Sequence, residues 1–408
     1  MNKKISITAL LFLIGTLHTM VFSFIQFPGT FIDEDISQDP ILYKGILYLF
    51  TVGVSCFHQP ISRQFGLKNV LLLGLLGNII GLLLLFIHHY LEHPVYHFSL
   101  YLSMAFFGAA MLSVVNSLVT YIIIEFPAKS VTAITAMFIF LNFGLMLTPI
   151  ALNAAVSIGM TWSTFFVVMI LLMFSMLAVK MLFFEPQYPK EYDHLRSGTL
   201  IWKEMHRRLA LYVLAVFLYS LIESTFSLWG AQMLIARAPL NIAEYAISVF
   251  WIFMIIGQLL FMVPLYYLQP RKIFYFLMPM LIGALLYIPE QSQLSKISYG
   301  LAIGGMGCAV IYPIVLSLLE MEIIQASLVN RHVHYLPLID TAVSFLMAAY
   351  LLGSAVVDIW TNIVPNAVPS HYFYLAIGLV IAITLLMYYL NKTRTVSSGI
   401  KGTFLRRD

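Results

Sequence analysis

The sequence predicts an all-α membrane protein with twelve transmembrane helices in two pseudo-symmetric six-helix bundles. The 408 residues are 61% hydrophobic and only 10% charged, whereas soluble domains are about 45–50% apolar and about 25% charged. Twelve apolar segments approach or exceed the ~20 residues that a membrane span needs. A polar stretch from Glu185 to Arg208 separates them into six and six.

The predicted spans also define the predicted divisions of the chain. They cover residues 5–27, 41–60, 69–88, 98–123, 132–157, 163–184, 209–236, 242–267, 273–289, 297–318, 337–358 and 372–391. The first is expected to be retained, because no small-residue cleavage site follows it. We therefore expect an N-terminal six-helix bundle at 1–184, a cytoplasmic central loop at 185–208, a C-terminal six-helix bundle at 209–391 and a cytoplasmic tail at 392–408.

Lysine and arginine residues predict the orientation of the spans. If the N-terminus is cytoplasmic, all but three of the 22 Lys and Arg residues lie in cytoplasmic segments or at cytoplasmic helix ends. The exceptions are Lys44, Arg237 and Lys296. Positive residues are enriched on the cytoplasmic side of membranes. We therefore expect a multi-pass protein of the cell (inner) membrane with both termini in the cytoplasm.

Two pairs of short motifs recur in the two halves. Pro60 to Lys68, at the end of the second span, matches Pro264 to Lys272 at the end of the eighth. Gly108 to Asn116 in the fourth span matches Gly305 to Pro313 in the tenth. The offsets, 264 − 60 = 204 and 305 − 108 = 197 residues, are close to half of the chain. This spacing is expected of two repeated six-helix units.

The seventh span carries a carboxylate, Glu223, within an apolar run from Leu209 to Ala236. Glu223 follows Arg208 by 223 − 208 = 15 residues, about 22 Å along a helix. This depth is near the middle of a hydrocarbon core of about 30 Å, where a charge costs roughly 2.5–3.5 kcal/mol on insertion scales. Such residues are usually functional, so we expect Glu223 to bind a proton. The alternative is a structural Glu hydrogen-bonded to a neighbouring helix.

His18 is expected to lie at nearly the same depth as Glu223. It follows Lys4 by 18 − 4 = 14 residues, and its offset from Glu223, 223 − 18 = 205, agrees with the repeat. Because histidine titrates near physiological pH, His18 and Glu223 are expected to share a proton between symmetry-related helices. The alternative is a hydrogen-bonded packing histidine.

Other polar and aromatic side chains within the spans are candidate solute ligands. Amides can bind hydroxyl groups, although they also connect helices. Trp229 has an equal alternative as a packing or interfacial residue near the outer helix end. The expected substrate-binding residues are Asn116, Asn142, Tyr219, Trp229, Gln232 and Gln258.

Two charged residues near span ends have structural explanations. Asp340 follows Pro337 by three residues, and the first turn of a helix favours a carboxylate. Lys44 lies near the outer end of the second span, so we expect its long side chain to extend to the membrane surface.

Several motifs resemble the major facilitator superfamily, and within it the fucose-permease-like group. They are Glu223-x5-Trp229; Gly108 to Asn116, followed by Glu125-Phe-Pro127 and Leu141-Asn-Phe-Gly144; and Gly305 to Pro313, followed by Ser317. The resemblance covers nearly the whole chain. It implies the fold of that superfamily and transport by alternating access.

The sequence departs from the family pattern at three places. After the second span, Gln59 and Arg63 stand where the pattern has Gly and Asp. Leu112 stands where sugar–proton members of the family have an acid, so the resemblance supplies no proton site there and leaves sugar as substrate in doubt. The antiporter pattern Gly-Pro-x-x-Gly-Gly is absent from the fifth span, which has Thr148-Pro-Ile-Ala-Leu-Asn153 instead. This absence favours uptake over efflux.

These observations predict a secondary active transporter of a small neutral or cationic polar solute, working by alternating access with proton-coupled uptake. No Lys or Arg lies in the middle of a predicted span, which disfavours an anionic solute. No Walker-type loop is present, so no ATPase activity is expected. Efflux of an amphipathic compound is one alternative, since 31 Phe, 23 Tyr and 21 Met could accommodate it. A non-transporting membrane sensor or assembly factor is another.

The sequence lacks the residue sets that enzymes and metalloproteins need. No nucleophile–base pair or metal-ligand set occurs at one depth, and both cysteines lie in apolar runs. We therefore expect no enzyme activity, no cofactor, no metal and no nucleic-acid partner. The expected partners are a small-molecule solute, protons and the lipid bilayer, and the expected state is a monomer.

Overall fold

The computed structural model is helical, apart from short turns, wherever it describes the chain. The described residues are 2–26, 40–88, 90–91, 95–126, 130–159, 167–174, 177, 199–230, 233, 240–329, 336–363 and 369–397. The α-helices are α1 (Asn2–Gln26), α2 (Pro40–Phe65), α3 (Leu67–His88), α4 (Val95–Glu125), α5 (Ser130–Ser157), α6 (Thr199–Ser224), α7 (Leu240–Tyr267), α8 (Pro270–Tyr287), α9 (Leu294–Cys308), α10 (Ile311–Val329), α11 (Leu336–Ile363) and α12 (Pro369–Ser397). Residues 167–174, in the predicted sixth span, are also helical.

The helices confirm the predicted class of an all-α membrane protein. Ten helical stretches of the described chain are long and apolar enough to cross a membrane, and Thr8–Ser23 of α1 is a shorter apolar helix. α6 begins at Thr199, inside the stretch predicted as the central loop. The predicted tenth span consists of two helices, α9 and α10, with a turn at Ala309-Val310. Pro313 explains this turn, because it has no N–H for the Ala309 carbonyl and its ring displaces that oxygen.

Large apolar side chains cover the outside of the helices. Leu49, Leu375 and Leu385 are 68%, 64% and 62% exposed, respectively. A water-facing surface rarely carries extended apolar patches. This surface is therefore suited to contact with lipid acyl chains.

The two halves repeat the same helix packing. In the N-terminal half, α1 packs against α5, and α4 packs against α2 and α3. In the C-terminal half, α6 packs against α11, and α9 packs against α7 and α8. The sets coincide when α1 to α5 are matched in order with α6, α7, α8, the α9–α10 pair and α11. This match is the pseudo-symmetry that the repeated motifs predicted.

Glycines at matching positions allow the helices of each half to approach closely. A Cβ on Gly108 of α4 would collide with the carbonyl oxygen of Leu47 in α2. A Cβ on Gly305 of α9 would collide with the carbonyl oxygen of Phe250 in α7. The two contacts occupy equivalent places in the two halves. The recurring glycines of the sequence therefore mark sites of backbone contact.

Hydroxyl groups connect a second matching pair of helices. Thr19 of α1 donates a 2.7 Å hydrogen bond to the carbonyl oxygen of Leu141 in α5. Ser220 of α6 donates to the carbonyl oxygen of Tyr350 in α11. The offsets are 220 − 19 = 201 and 350 − 141 = 209 residues, so this contact is also repeated.

Gly305→Ala is expected to destabilise the C-terminal half. The added methyl group meets backbone rather than a mobile side chain, and overpacking of this kind typically costs about 1–3 kcal/mol. The measurement is the thermal unfolding midpoint of the purified protein in detergent. Gly283→Ala is the matched control, because its Cβ would have nothing within 4 Å. Equal midpoints for the two variants would contradict the close contact at Gly305.

The halves are joined chiefly by two helix pairs, α2 with α11 and α5 with α7, while α4 with α11 and α5 with α10 make smaller contacts. The pseudo-symmetry exchanges these pairs, because α2 matches α7 and α5 matches α11. Along the α2–α11 seam, Lys44 pairs with Asp358 at 2.7 Å and Ser62 bonds Asp340 at 2.8 Å. The two residue numbers of each pair add up to 402 (44 + 358 and 62 + 340), as expected when two antiparallel helices keep a constant register. The seam thus has a polar contact near each end.

Candidate functional site

Glu223 lies at the end of α6, and its side chain is buried at 3% exposure. The chain continues directly into a π-helical turn, Thr225–Trp229. Such turns are rare and occur frequently at functional sites. The π-helical turn changes the backbone phase just after Glu223, so angles calculated for an ideal α-helix do not relate Glu223 to Trp229.

Among the described residues, the Glu223 carboxylate accepts one hydrogen bond of good geometry, and the Tyr219 hydroxyl also lies close to it. The hydroxyl of Tyr350 in α11 donates to Oε1 at 2.5 Å. The other oxygen, Oε2, has no hydrogen-bond partner within the described part of the chain, and no described basic side chain forms an ion pair with it. A buried charge without a counter-charge is costly. Glu223 is therefore a position where a positive charge or a proton is favoured.

Two tyrosines, Tyr219 and Tyr350, lie beside this carboxylate, and a third, Tyr312, packs on Tyr350. Tyr219 lies one turn before Glu223 in α6, and its ring stacks on that of Tyr350 with centroids 6.2 Å apart. The Tyr350 ring is also perpendicular to that of Tyr312 in α10, at 5.8 Å. We call Glu223, Tyr219, Tyr312 and Tyr350 the Glu223 cluster. The Tyr312 ring packs 5.0 Å from Phe138 of α5, so the cluster extends to the N-terminal half.

The turn between α9 and α10 supplies a contact to this cluster. Tyr219 donates a 3.1 Å hydrogen bond to the carbonyl oxygen of Cys308, the last residue of α9. The following turn interrupts the regular helical hydrogen bonding that such a carbonyl would otherwise make. The hydroxyl of Tyr312, just beyond the turn, is buried and has no hydrogen-bond partner among the described residues. This hydroxyl is a further unbonded polar group on a ring that packs against Tyr350.

His18 lies in the N-terminal half, away from the partners of Glu223. Its Nδ1 is 2.7 Å from the amide nitrogen of Asn78 in α3, and its Nε2 is 3.2 Å from the sulfur of Met111 in α4. Within the described chain, His18 and Glu223 share no hydrogen-bond partner. The predicted sharing of a proton therefore depends on their matched depth alone and stays a prediction.

Of the two predicted solute ligands Trp229 and Gln232, the structure describes only Trp229. The Trp229 ring packs against Tyr372 of α12, whereas Glu223 faces α11. This contact fits the alternative in which Trp229 is a packing residue. Trp229 packs on α12, whereas the hydrogen bonds of Tyr219 and Glu223 are made with α9 and α11. Gln232 lies outside the described residues.

The three predicted amides within the described chain are buried. Asn116 donates a 3.3 Å hydrogen bond to Ser344 of α11, across the two halves. Its own oxygen, the nitrogen of Asn142 and both amide atoms of Gln258 have no hydrogen-bond partner among the described residues. Because buried polar atoms in proteins are nearly always bonded, these atoms are positions for water or a polar solute.

Asp340 does more than begin a helix. One carboxylate oxygen accepts from Ser62 of α2 at 2.8 Å, and the other accepts from Thr120 of α4 at 3.0 Å. His58 Nδ1 lies 3.4 Å from Asp340. Helix-start stabilisation alone was therefore an incomplete explanation, because Asp340 joins α11 to two helices of the other half. Spacing along one helix carried no indication of these partners.

Lys44 does not extend to the membrane surface. It is 8% exposed and pairs with Asp358 of α11, which also accepts a 3.2 Å hydrogen bond from Tyr48. The snorkelling expectation was wrong, because an acidic partner lies within reach on a helix that is distant in sequence. In the described residues, no group of three or more His, Cys, Asp and Glu could hold a metal ion.

Comparisons with known proteins identify one family and one fold. The family model described as Major Facilitator Superfamily matches residues 7–327. The structure is similar to the crystal structure of the E. coli fucose:proton symporter FucP, with a TM-score of 0.70 and 13% identity over 94% of this chain and 98% of that chain. It is also similar to FucP in the outward conformation, with a TM-score of 0.69 and the same identity and coverage. No curated protein sequence matches. These likenesses confirm the fold of two six-helix bundles.

Proposed function

Because the chain belongs to the major facilitator superfamily, we propose that it is a proton-coupled secondary transporter of a small neutral or cationic polar solute, with Glu223 as the proton-binding group. The family makes the chain a multi-pass membrane transporter. The proposal adds the coupling, the solute and the direction. The observation that carries it is the buried Glu223 oxygen, which has no hydrogen-bond partner among the described residues.

The proposed coupling follows from the cost of a buried charge. An ionised carboxylate at 3% exposure loses much of its hydration, and one hydrogen bond from Tyr350 offsets only part of that loss. Protonation removes the charge and so lowers the free energy of conformations in which the cluster is closed to water on both sides. The proton-loaded site would then pass between the two membrane faces, as alternating access requires.

The proposed solute site combines the Glu223 cluster with unbonded amide atoms. Asn116, Asn142 and Gln258 offer both donors and acceptors for hydroxyl or amine groups. Gln232 remains a proposed ligand on the basis of the sequence. Trp229 is proposed to stabilise the end of the helix through Tyr372 rather than to contact the solute.

His18→Gln is expected to retain proton-coupled transport. Both ring nitrogens of His18 already contact groups of the N-terminal half, so its replacement should chiefly affect local packing. The measurement is solute-driven acidification or alkalinisation of liposomes that contain the variant. Loss of proton movement in a variant with an unchanged unfolding midpoint would instead support the predicted sharing of a proton with Glu223.

Uptake is the proposed direction, with both termini in the cytoplasm of the cell (inner) membrane. FucP, which has the same fold, is described as a fucose:proton symporter. That likeness supports symport as a class but carries no solute to this chain. The orientation rests on the distribution of Lys and Arg, and protease access to tags on the two termini of membrane-embedded protein would test it.

Export of an amphipathic compound is the second candidate. The observation that favours it is the aromatic lining of the site, formed by Tyr219, Tyr312, Tyr350 and Phe138. Aromatic rings accept flat apolar groups as well as polar ones. The two candidates predict opposite directions of proton movement. Symport moves protons in the same direction as the solute, whereas export by exchange moves them in the opposite direction.

The experiment that tests the proposal uses purified protein. A thermal-shift screen of sugars, amines and peptides first identifies compounds that stabilise the protein. Liposomes that contain the protein and an internal pH dye then report proton movement when a stabilising compound is added outside. Solute-dependent proton movement is expected, and its sign gives the direction. Absence of any solute exchange, together with a stable partner in a pull-down, would favour the membrane sensor or assembly factor.

A further inference from the structure

We propose that Glu320 of α10 is a second proton-binding group, which takes up a proton whenever the two halves close at their cytoplasmic end. The inference rests on the proposed function for the orientation of the chain and for alternating access, and it adds a proton site that is separate from Glu223. Three observations carry it: a pair of matching bridges between the halves, the missing counter-charge of Glu320 and the register of the seam between α5 and α10.

The first observation is a pair of hydrogen-bonded bridges between the halves. Thr120 of α4 donates a 3.0 Å hydrogen bond to Asp340 of α11, and Ser130 of α5 donates one of 2.5 Å to Glu320. The pseudo-symmetry exchanges these bridges, because α4 matches the α9–α10 pair and α5 matches α11. The offsets, 320 − 120 = 200 and 340 − 130 = 210 residues, agree with those of the other repeated contacts. Since α5 and α11 both begin here, the proposed orientation places the two bridges at the cytoplasmic end.

The second observation is that Glu320 is the bridge acid without a counter-charge. It is 3% exposed, and its Oε1 has no hydrogen-bond partner among the described residues. Asp340, in the matching bridge, has His58 at 3.4 Å, whereas no described basic side chain forms an ion pair with Glu320. An ionised carboxylate here has lost much of its hydration and has one hydroxyl in its place, so the neutral acid is favoured while the bridge is closed.

The helices around α10 were searched for a charge that could neutralise Glu320. They are α5, α6, α8 and α11. On α6, Arg208 and Tyr212 already bind Glu322, two residues beyond Glu320, at 3.0 and 2.9 Å. The remaining described charged or titratable side chains near this end of the four helices form no ion pair with Glu320; they are His206, Arg207, Arg271, Lys272 and Asp340. Lys129, which precedes α5, lies outside the described residues and therefore enters the test.

The third observation is the register of the α5–α10 seam. Besides the bridge from Ser130 to Glu320, the ring of Phe138 packs 5.0 Å from that of Tyr312. The two residue numbers add up to 450 in both contacts (130 + 320 and 138 + 312), as expected for antiparallel helices. Tyr312 belongs to the Glu223 cluster and precedes Glu320 by 320 − 312 = 8 residues, or about 12 Å of helix. The bridge therefore closes the seam between the Glu223 cluster and cytoplasmic water.

Protons at Glu320 are taken up and released on the same side of the membrane. When the bridge closes, a proton from cytoplasmic water forms an O–H bond with the carboxylate. When the seam opens, that bond breaks and the proton returns to the same water. No proton crosses the membrane at Glu320, so the number of protons moved with each solute molecule is unchanged. Because closure consumes a proton, a lower cytoplasmic pH favours closure and a higher one favours opening.

The test measures how readily the cytoplasmic end opens. Ile134 is 0% exposed, and the register of the seam places it opposite Leu316 (134 + 316 = 450). Ile134→Cys is introduced into protein whose Cys56 and Cys308 are replaced by alanine, and inside-out membrane vesicles are treated with a membrane-impermeant maleimide. Each labelling rate is divided by that of the same protein with Glu320→Gln at the same pH, which cancels the pH dependence of the thiol. From about pH 6 to about pH 8 this ratio is expected to rise, by up to about tenfold per pH unit for one proton.

Further variants assign the effect to Glu320 and its bridge. Glu223→Gln is expected to keep the rise of the ratio with pH, and loss of the rise would assign the pH dependence to Glu223 and overturn the inference. Lys129→Gln is also expected to keep it, because a changed profile would make Lys129 the counter-charge. Ser130→Ala removes the bridge but keeps Glu320, so it is expected to be labelled faster at every pH. This last result does not depend on how well Glu320→Gln folds, and an unchanged rate would contradict the bridge.

A second measurement distinguishes this inference from the proposed function. In liposomes with an internal pH dye, Glu320→Gln is expected to keep the direction of solute-driven proton movement and the number of protons moved with each solute molecule. If the labelling ratio does not change with pH, the inference is overturned, whereas proton coupling through Glu223 is judged by its own variant. If no solute moves protons but labelling follows Glu320 as expected, the proposed function is wrong and the proton site at Glu320 is supported.

Discussion

Glu223→Gln is expected to reduce solute-driven proton movement to the level of protein-free liposomes. Gln has nearly the same shape as Glu and can still accept the hydrogen bond from Tyr350, but its amide takes up no proton near neutral pH. The change therefore removes the proton-binding group with little change in packing. The measurement is the initial rate of the pH-dye signal after solute addition.

The stability of the same variant separates loss of coupling from loss of folding. Replacing a buried, unpaired carboxylate with a neutral amide removes a charge that had lost its hydration. The unfolding midpoint of Glu223→Gln is therefore expected to equal or exceed that of the unaltered protein. A lower midpoint would indicate that Glu223 is structural, which was the alternative that the sequence left open.

Glu290 provides a matched control for this experiment. It accepts a 2.7 Å hydrogen bond from a tyrosine, Tyr374, as Glu223 does from Tyr350, but at an exposed position. Glu290→Gln is the same chemical change beside the same type of partner, outside the buried cluster. It is expected to leave proton movement unchanged. If both variants lose proton movement, the effect does not depend on the buried position, and Glu223 is not the coupling group.

The fold was predictable because the apolar segments and the internal repeat can both be recognised in the order of residues along the chain. Apolar segments located the helices, and the offset between Gly108 and Gly305 related the halves before their contacts with Leu47 and Phe250 were known. The turn between α9 and α10 was not predicted, although Pro313 removes a helical hydrogen bond there. Helix ends also extended beyond the apolar segments, as at Thr199, because polar residues can continue a helix outside the membrane core.

The candidate site was only partly predictable. A carboxylate inside an apolar run is conspicuous, so Glu223 was found, and Tyr219 was included as an aromatic side chain of the same span. Tyr350 was missed as the hydrogen-bond partner of Glu223, because a tyrosine in an apolar helix has no feature that distinguishes a ligand from a packing residue. Which helices are neighbours is a property of the tertiary fold, and spacing within one helix does not contain it.

One helix, α11, connects the candidate site with both ends of the seam between the halves. Asp340 contacts α2 and α4, Tyr350 donates to Glu223, and Asp358 pairs with Lys44. From Asp340 to Asp358 is 358 − 340 = 18 residues, or about 27 Å of helix, with Tyr350 between them. Any movement of α11 that follows a change at Glu223 would therefore act on both ends of the seam. Substitutions of Lys44 and Asp358 measure how strongly the seam is held at one of these ends.

Asp358→Asn is expected to destabilise the protein by about 3–5 kcal/mol, because it leaves the buried Lys44 ammonium without its counter-charge. Lys44→Met alone should be costly for the reverse reason. The double variant with Met at both positions should recover most of the loss, since apolar groups of similar volume replace a buried ion pair at little cost. The measurement is the free energy of unfolding in detergent, combined as a double-mutant cycle with Lys44→Met and Asp358→Met as the single variants. Strictly additive losses would mean that the two side chains do not interact, and that the α2–α11 seam is held at this end by packing alone.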